Sequence, residues 1–98
     1  MLDCGMIKSF KCSKTRSLWL RRKVSQFMSF EVAAKQKLLM LNSVESLEEL
    51  NSPPGNRLEA LKGDRKGQYS IRINKQWRIC FKWLGGDASE VEIVDYHS

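Results

Sequence analysis

The stretch YSIRINKQWRICFKW, Tyr69 to Trp83, decides the fold. In it Tyr69, Ile71 and Ile73 alternate with Ser70 and Arg72, and after a short break Trp77, Ile79, Phe81 and Trp83 alternate with Arg78, Cys80 and Lys82. An apolar period of two is the mark of a strand with one buried face, because successive side chains point to opposite sides of a sheet. The break, Asn74-Lys75-Gln76, is turn chemistry, so the two runs are neighbouring strands. Gly85-Gly86-Asp87 makes the next turn. Val91 and Ile93 then alternate with Glu92 and Val94 in a last strand that runs into Asp95-Tyr96-His97.

Towards the N-terminus the period becomes helical. Ser13 is placed to cap a helix through about Val24, with Leu20, Val24, Phe27 and Met28 at helical spacing. Ser29 caps a second helix from Phe30 to about Asn42, whose apolar side is Val32, Ala34, Leu38, Leu39 and Leu41. Together they predict a helical hairpin. Met6 to Phe10 reads as a short opening strand with Ile7 and Phe10 turned inward, residues 43–50 as one more helical turn, and Asn51-Ser52-Pro53-Pro54-Gly55-Asn56 as a loop. The order β, α, α, β-meander predicts an α+β fold with two N-terminal helices packed on one face of a mostly antiparallel sheet.

Ninety-eight residues suffice for one core and are too few for two, so the chain is read as a single domain, 1–98, with its core in 6–97. With 42% hydrophobic residues it is too apolar to be a disordered chain. Met1 to Gly5 has neither a basic leader nor an apolar segment, and the longest apolar run is Leu38 to Leu41, so the expectation is a cytoplasmic protein with no membrane partner. Cys4, Cys12 and Cys80 are odd in number and lack metal-ligand spacing; they are read as reduced thiols, Cys80 as a small core residue.

The formal charge of +6 favours a polyanionic partner. From Arg57 to Lys82 there are eight basic residues against Glu59 and Asp64. Arg72, Arg78 and Lys82 alternate with the apolar positions and are therefore expected on the sheet face that the helices leave open, as a cationic surface. Leu61-Lys62-Gly63-Asp64-Arg65-Lys66-Gly67 adds basic residues between glycines, where backbone can approach phosphates, although its spacing is not that of a P-loop. Asp95, Tyr96 and His97, the only histidine, can all move protons. Strict alternation puts Asp95 and His97 on one face and Tyr96 on the other.

In this order and spacing, Met6-Ile7-Lys8-Ser9-Phe10, Leu61-Lys62-Gly63-Asp64-Arg65-Lys66-Gly67-Gln68-Tyr69-Ser70-Ile71, Trp77-Arg78-Ile79-Cys80-Phe81 and Val94-Asp95-Tyr96-His97 resemble the HigB-like group of the RelE/ParE toxin superfamily. The resemblance covers nearly the whole chain from Met6. It implies a RelE/ParE-like fold and a ribosome-dependent endoribonuclease that cuts mRNA, neutralised by a HigA-like helix-turn-helix antitoxin, with DNA reached only through the antitoxin complex. By position it implies catalytic roles for Lys62, Arg78, Asp95, Tyr96 and His97. Some relatives have a histidine just before Leu-Lys-Gly where this chain has Glu59, so either Glu59 shares proton transfer or that function is dispensable here. The chemistry it implies is metal-free, with no cofactor: a base at the ribose 2′-OH, cations on the phosphate, and an acid for the departing oxygen. His97 suits base or acid, Lys62 and Arg78 the phosphate, Asp95 the orientation of His97, and Tyr96 a base stack or a proton. Arg65, Lys66, Arg72 and Lys82 are expected to dock on RNA and ribosome. Two other readings remain: a ParE-like toxin that poisons DNA gyrase without cutting RNA, and a basic nucleic-acid-binding module without catalysis.

Overall fold

The computed structural model describes residues 7–96. Two helices, α1 (Ser13–Trp19) and α2 (Glu31–Leu41), cover one face of a four-stranded antiparallel sheet. Its strands, β1 (Glu59–Ala60), β2 (Gln68–Arg72), β3 (Trp77–Leu84) and β4 (Asp87–Asp95), lie side by side in chain order. The α+β arrangement is the one expected from the periodicity. Ile71, Ile79 and Ile93 stand directly opposite one another across β2, β3 and β4 and are buried. Leu18 from α1, Ala34, Leu38 and Leu41 from α2, and Phe27 and Phe30 close over them. Phe30 stacks on Trp77 at 5.0 Å between ring centroids, and Phe27 meets the same ring edge-on at 5.7 Å. Among the described residues no helix is long and apolar enough to cross a membrane.

The helices depart from expectation in extent. α1 stops at Trp19, well short of Val24, because Arg21 adopts φ 65°. Its N–H then donates to the Leu18 carbonyl and that of Arg22 to the Ser17 carbonyl, at 3.0 and 2.9 Å, which closes a Schellman motif. Leu20 and Met28 consequently sit off the helix and are 45% and 55% exposed, whereas Val24 and Phe27 are buried. A 3₁₀ helix, Ser25–Phe30, precedes α2, so Ser29 caps nothing, and neither Cys12 before α1 nor Phe30 before α2 supplies a side-chain cap. On α2 the buried stripe is Ala34, Leu38 and Leu41 alone; Val32 and Leu39 are 69% and 57% exposed. The stripe is narrow because the sheet covers only one side of this helix.

The opening strand is reduced to two parallel bridges against β4, Ile7 to Ala88 and Phe10 to Val91, with Met6 outside the described residues. Ile7 and Phe10 do pack on the core. A bulge in β4 explains the gap: the β3 register jumps between Cys80 and Lys82, Glu90 turns to φ 50°, and its N–H is taken up by the Ser9 hydroxyl at 2.9 Å.

The turn read into residues 43–50 is a 3₁₀ helix at Leu47–Asn51. The Pro-Pro-Gly loop is anchored more firmly than its composition suggests. Asn56 is fully buried, its amide donating to the Leu50 and Ser52 carbonyls at 3.1 and 3.3 Å while its oxygen accepts from Lys37 Nζ. That anchor delivers the next residue, Arg57, to the outer face of the sheet.

Candidate functional site

The outer face is not an open row of cations. Arg78, expected to project from it, is 7% exposed. Its Nε donates to Ser70 Oγ at 2.8 Å, and its Nη2 donates to the Arg57 carbonyl at 2.5 Å and stands 3.7 Å from Glu59 Oε1. Arg57 holds a left-handed backbone, φ 47°, which turns its carbonyl to the guanidinium. The Tyr96 ring lies over the guanidinium carbon at 5.4 Å from its centroid, a cation–π arrangement. Arg78 therefore ties β1, β2, β3 and the chain end together. A side chain expected only to bind phosphate also carries structure.

Around it opens a depression of about 210 Å³, lined by Arg57, Glu59, Arg72, Asn74, Lys75, Arg78 and Tyr96. Four cations and one carboxylate make it strongly positive. No carboxylate pairs with Arg57, Arg72 or Lys75 among the described residues. Asn74 accepts the N–H groups of Gln76 and Trp77 at 2.8 and 2.9 Å, which fixes the β2–β3 turn and holds Lys75 at the rim.

Of the expected catalytic residues the structure brings together Glu59, Arg78 and Tyr96. Lys62 is exposed, between β1 and the 3₁₀ turn Gly63–Arg65, and does not line the depression. Asp95 stands opposite Trp77 at the end of β4, accepts Gln76 Nε2 at 3.0 Å and lines a separate cleft with Cys12, Phe27 and Trp77. Tyr96 and Asp95 thus occupy opposite faces, as alternation requires. His97 lies outside the described residues.

The expected docking cations divide in two. Arg65 meets Glu92 at 2.8 Å and Lys82 meets Glu90 at 3.1 Å, so both spend charge within the protein. The hydrogen bond to Glu92 holds the Arg65 guanidinium above its already high ordinary pKa. Lys66 is exposed and Arg72 lines the depression. Arg57, Asn74 and Lys75 complete the site without having been singled out from the sequence. Their only signal there was the local excess of basic residues, which says nothing about which of them converge.

Cys80 is fully buried beneath this face, and burial pushes its thiol pKa up, which makes it inert. Cys12 is free and half-buried; Cys4 lies outside the described residues. No group of three metal-ligating side chains gathers among the described residues. The arrangement can grip a phosphodiester, stack a base on Tyr96 and offer the Glu59 carboxylate to a proton.

Residues 19–97 match the family of RelE-like toxins of the type II toxin–antitoxin system HigB. Endoribonuclease HigB of Proteus vulgaris is 34% identical over 93 residues, covering 94% of this chain and all of that protein. Toxin HigB-1 of Vibrio cholerae serotype O1 is 47% identical over 60 residues, 61% of this chain; the match spans 63% of that protein's length. Two solved structures share the fold at 17% identity. One is YafQ of E. coli, TM-score 0.55 over 91% of this chain and 90% of that one; the other is the YoeB–YefM complex from Staphylococcus aureus, TM-score 0.56 over 94% and 98%.

Proposed function

Because the chain belongs to the HigB-like family of RelE-type toxins, we propose that it is the toxin of a type II toxin–antitoxin pair and an endoribonuclease that cuts translated mRNA on the ribosome. The observation that carries this is the Arg78–Tyr96 stack beside a depression lined by Arg57, Arg72 and Lys75. A positively charged hollow with an aromatic ring at its edge suits single-stranded RNA, where an unstacked base lies on the ring while its phosphate meets the cations.

Cleavage proceeds by attack of a ribose 2′-oxygen on the adjacent phosphorus. The 2′-proton passes to a base, the bond from phosphorus to the 5′-oxygen breaks, and that oxygen takes a proton, leaving a 2′,3′-cyclic phosphate and a 5′-hydroxyl. Arg78 and its neighbouring cations stabilise the charge that builds on the nonbridging oxygens, and Lys62 adds to them from the flanking segment. His97, next to Tyr96 in the chain, and Glu59 in the depression carry the proton transfers. Asp95 steadies the chain end through Gln76. The chemistry uses no metal or other cofactor.

The ribosome supplies the orientation that so small a site cannot impose on a flexible strand. Arg65, Lys66, Arg72 and Lys82 meet ribosomal and messenger phosphates, and a HigA-like helix-turn-helix antitoxin restrains the toxin in the cytoplasm. Gyrase poisoning without RNA cleavage finds no support: the relative matched over its full length is named an endoribonuclease. The test is expression in cells followed by mapping of mRNA 5′ ends. New ends within translated reading frames, lost with His97→Gln, support the reading; growth arrest without new ends overturns it.

A further inference from the structure

A further cavity lies on the helix layer, away from the Arg78 site. It is a groove of about 570 Å³ between α1 and α2, lined by Leu18, Trp19, Arg21, Lys35 and Leu39. The face of α2 that carries Lys35 and Leu39 into the groove also carries Val32, three residues before Lys35. Leu39 and Val32, two turns apart on α2 and so about 10 Å from each other along its axis, are 57% and 69% exposed, and Leu20 beside Trp19 is 45% exposed. Three large aliphatic side chains left in water on one small domain mark a surface that a partner covers.

The charge around the groove says which kind. From within α1 to the 3₁₀ helix that follows it, residues 16–30 hold four basic side chains, Arg16, Arg21, Arg22 and Lys23, and no acidic one, and all four are exposed. Arg21 and Lys35 stand in the groove wall itself; Lys35 is paired with Glu31 at 3.4 Å, whereas Arg21 forms no ion pair among the described residues. RNA phosphates would meet the cations yet leave Val32, Leu39 and Leu20 in water. A second copy of the chain would cover the apolar residues but set two sets of cations face to face.

We propose that this groove is the docking site of an acidic amphipathic helix of the cognate antitoxin. Its apolar side chains, at i, i+3 or i+4 and i+7, seat between Trp19 and Leu39, and its carboxylates meet Arg21 and Lys35. The proposal rests on the reading of the chain as the toxin of a toxin–antitoxin pair. It adds where the partner binds and what chemistry that partner presents.

The test uses the full-length chain and the full-length antitoxin encoded beside it, purified separately and titrated by calorimetry. Leu39→Glu and Val32→Glu put a carboxylate where an apolar side chain is received; both positions are exposed, so the fold tolerates the change, and a thermal melt checks it. Each is expected to weaken binding about 100-fold. Arg21→Glu with Lys35→Glu is expected to weaken it about tenfold and to flatten its salt dependence. Cleavage of ribosome-bound mRNA by each variant alone stays at the wild-type rate. Antitoxin affinity within twofold of wild type for all these variants overturns the proposal. So does loss of ribosome-dependent cleavage in the double reversal, which assigns the surface to RNA, or a dimeric wild type that Leu39→Glu renders monomeric. A wild-type chain that cleaves nothing and binds no antitoxin overturns the functional reading itself.

Discussion

The two faces of the one sheet are buried to a similar depth by different means. On the inner face the row Ile71–Ile79–Ile93 is dry and is covered by helices. On the outer face Ser70 and Cys80 are equally inaccessible, yet what covers that face is a network of polar side chains: Arg78 bonded to Ser70 and Arg57, and Arg65 paired with Glu92. Burial by apolar packing is driven by a non-directional force, whereas burial by hydrogen bonds fixes each polar partner's place. The inner face therefore governs whether the chain folds. The outer face governs where Tyr96, Arg57 and the other cations of the depression stand.

The widest separation of the two faces is expected from Phe81→Ala. Phe81 is fully buried, and its truncation leaves a cavity that costs about 3 to 5 kcal/mol, a large part of the roughly 5 to 15 kcal/mol that holds a small domain folded. Urea unfolding of the purified chain reads that loss directly.

Arg78 is where the comparison is most easily broken. Arg78→Ala leaves the Ser70 hydroxyl and the Arg57 carbonyl without their buried donor, at a cost of about 1 to 3 kcal/mol, and removes the cation on which Tyr96 stacks. Cleavage is expected to fall at least 100-fold and the melt to shift down. Arg78→Lys keeps the charge but not the fork of donors, so cleavage is expected to stay low. Full cleavage by Arg78→Lys would show that charge alone matters there.

Tyr96 sharpens the outer-face assignment. It is 44% exposed, so Tyr96→Ala should lower unfolding stability by no more than about 1 kcal/mol, the worth of its contact with Arg78, while reducing cleavage about 10- to 100-fold, as the loss of one base stack of about 1 to 3 kcal/mol implies. Tyr96→Phe separates the ring from the hydroxyl: retained activity assigns the stack, lost activity the proton.

The smallest effect concerns pH. Burial raises the Cys80 thiol pKa in the folded chain, so the stability contributed by its protonated form is complete below the unfolded thiol pKa of about 8.5. That contribution is lost as the pH rises above this value towards the raised folded pKa, because only the unfolded chain ionises at first. In urea unfolding from pH 7 to 10, Cys80→Ala should show a shallower alkaline decline than the wild type.

The sheet was legible in the sequence because its inner face is regular: Tyr69, Ile71, Ile79, Phe81, Val91 and Ile93 keep a period of two across both turns. The helices were legible as helices but not in extent, because Arg21 ends α1 with a left-handed residue that is not glycine and gives no compositional warning. The site was half legible. Glu59, Arg78 and Tyr96 follow from position in a recognisable motif. Arg57 and Lys75 reach the depression only because buried Asn56 and the Asn74 turn deliver them there, which are tertiary facts. Alternation alone placed Arg78 in solvent; one bond that holds it comes from Ser70 on the neighbouring strand, the other from Arg57, about twenty residues earlier in the chain.

The division between the faces is tested most directly by measuring, for Arg72→Glu with Lys75→Glu, both the rate of cleavage of ribosome-bound mRNA and the free energy of unfolding. Both cations line the depression, and neither forms an ion pair among the described residues. Cleavage is expected to fall at least tenfold at fixed salt, with a shallower dependence on salt concentration, while unfolding changes by no more than about 0.5 kcal/mol. Wild-type cleavage by the double variant at low salt would contradict the assignment of this face to RNA.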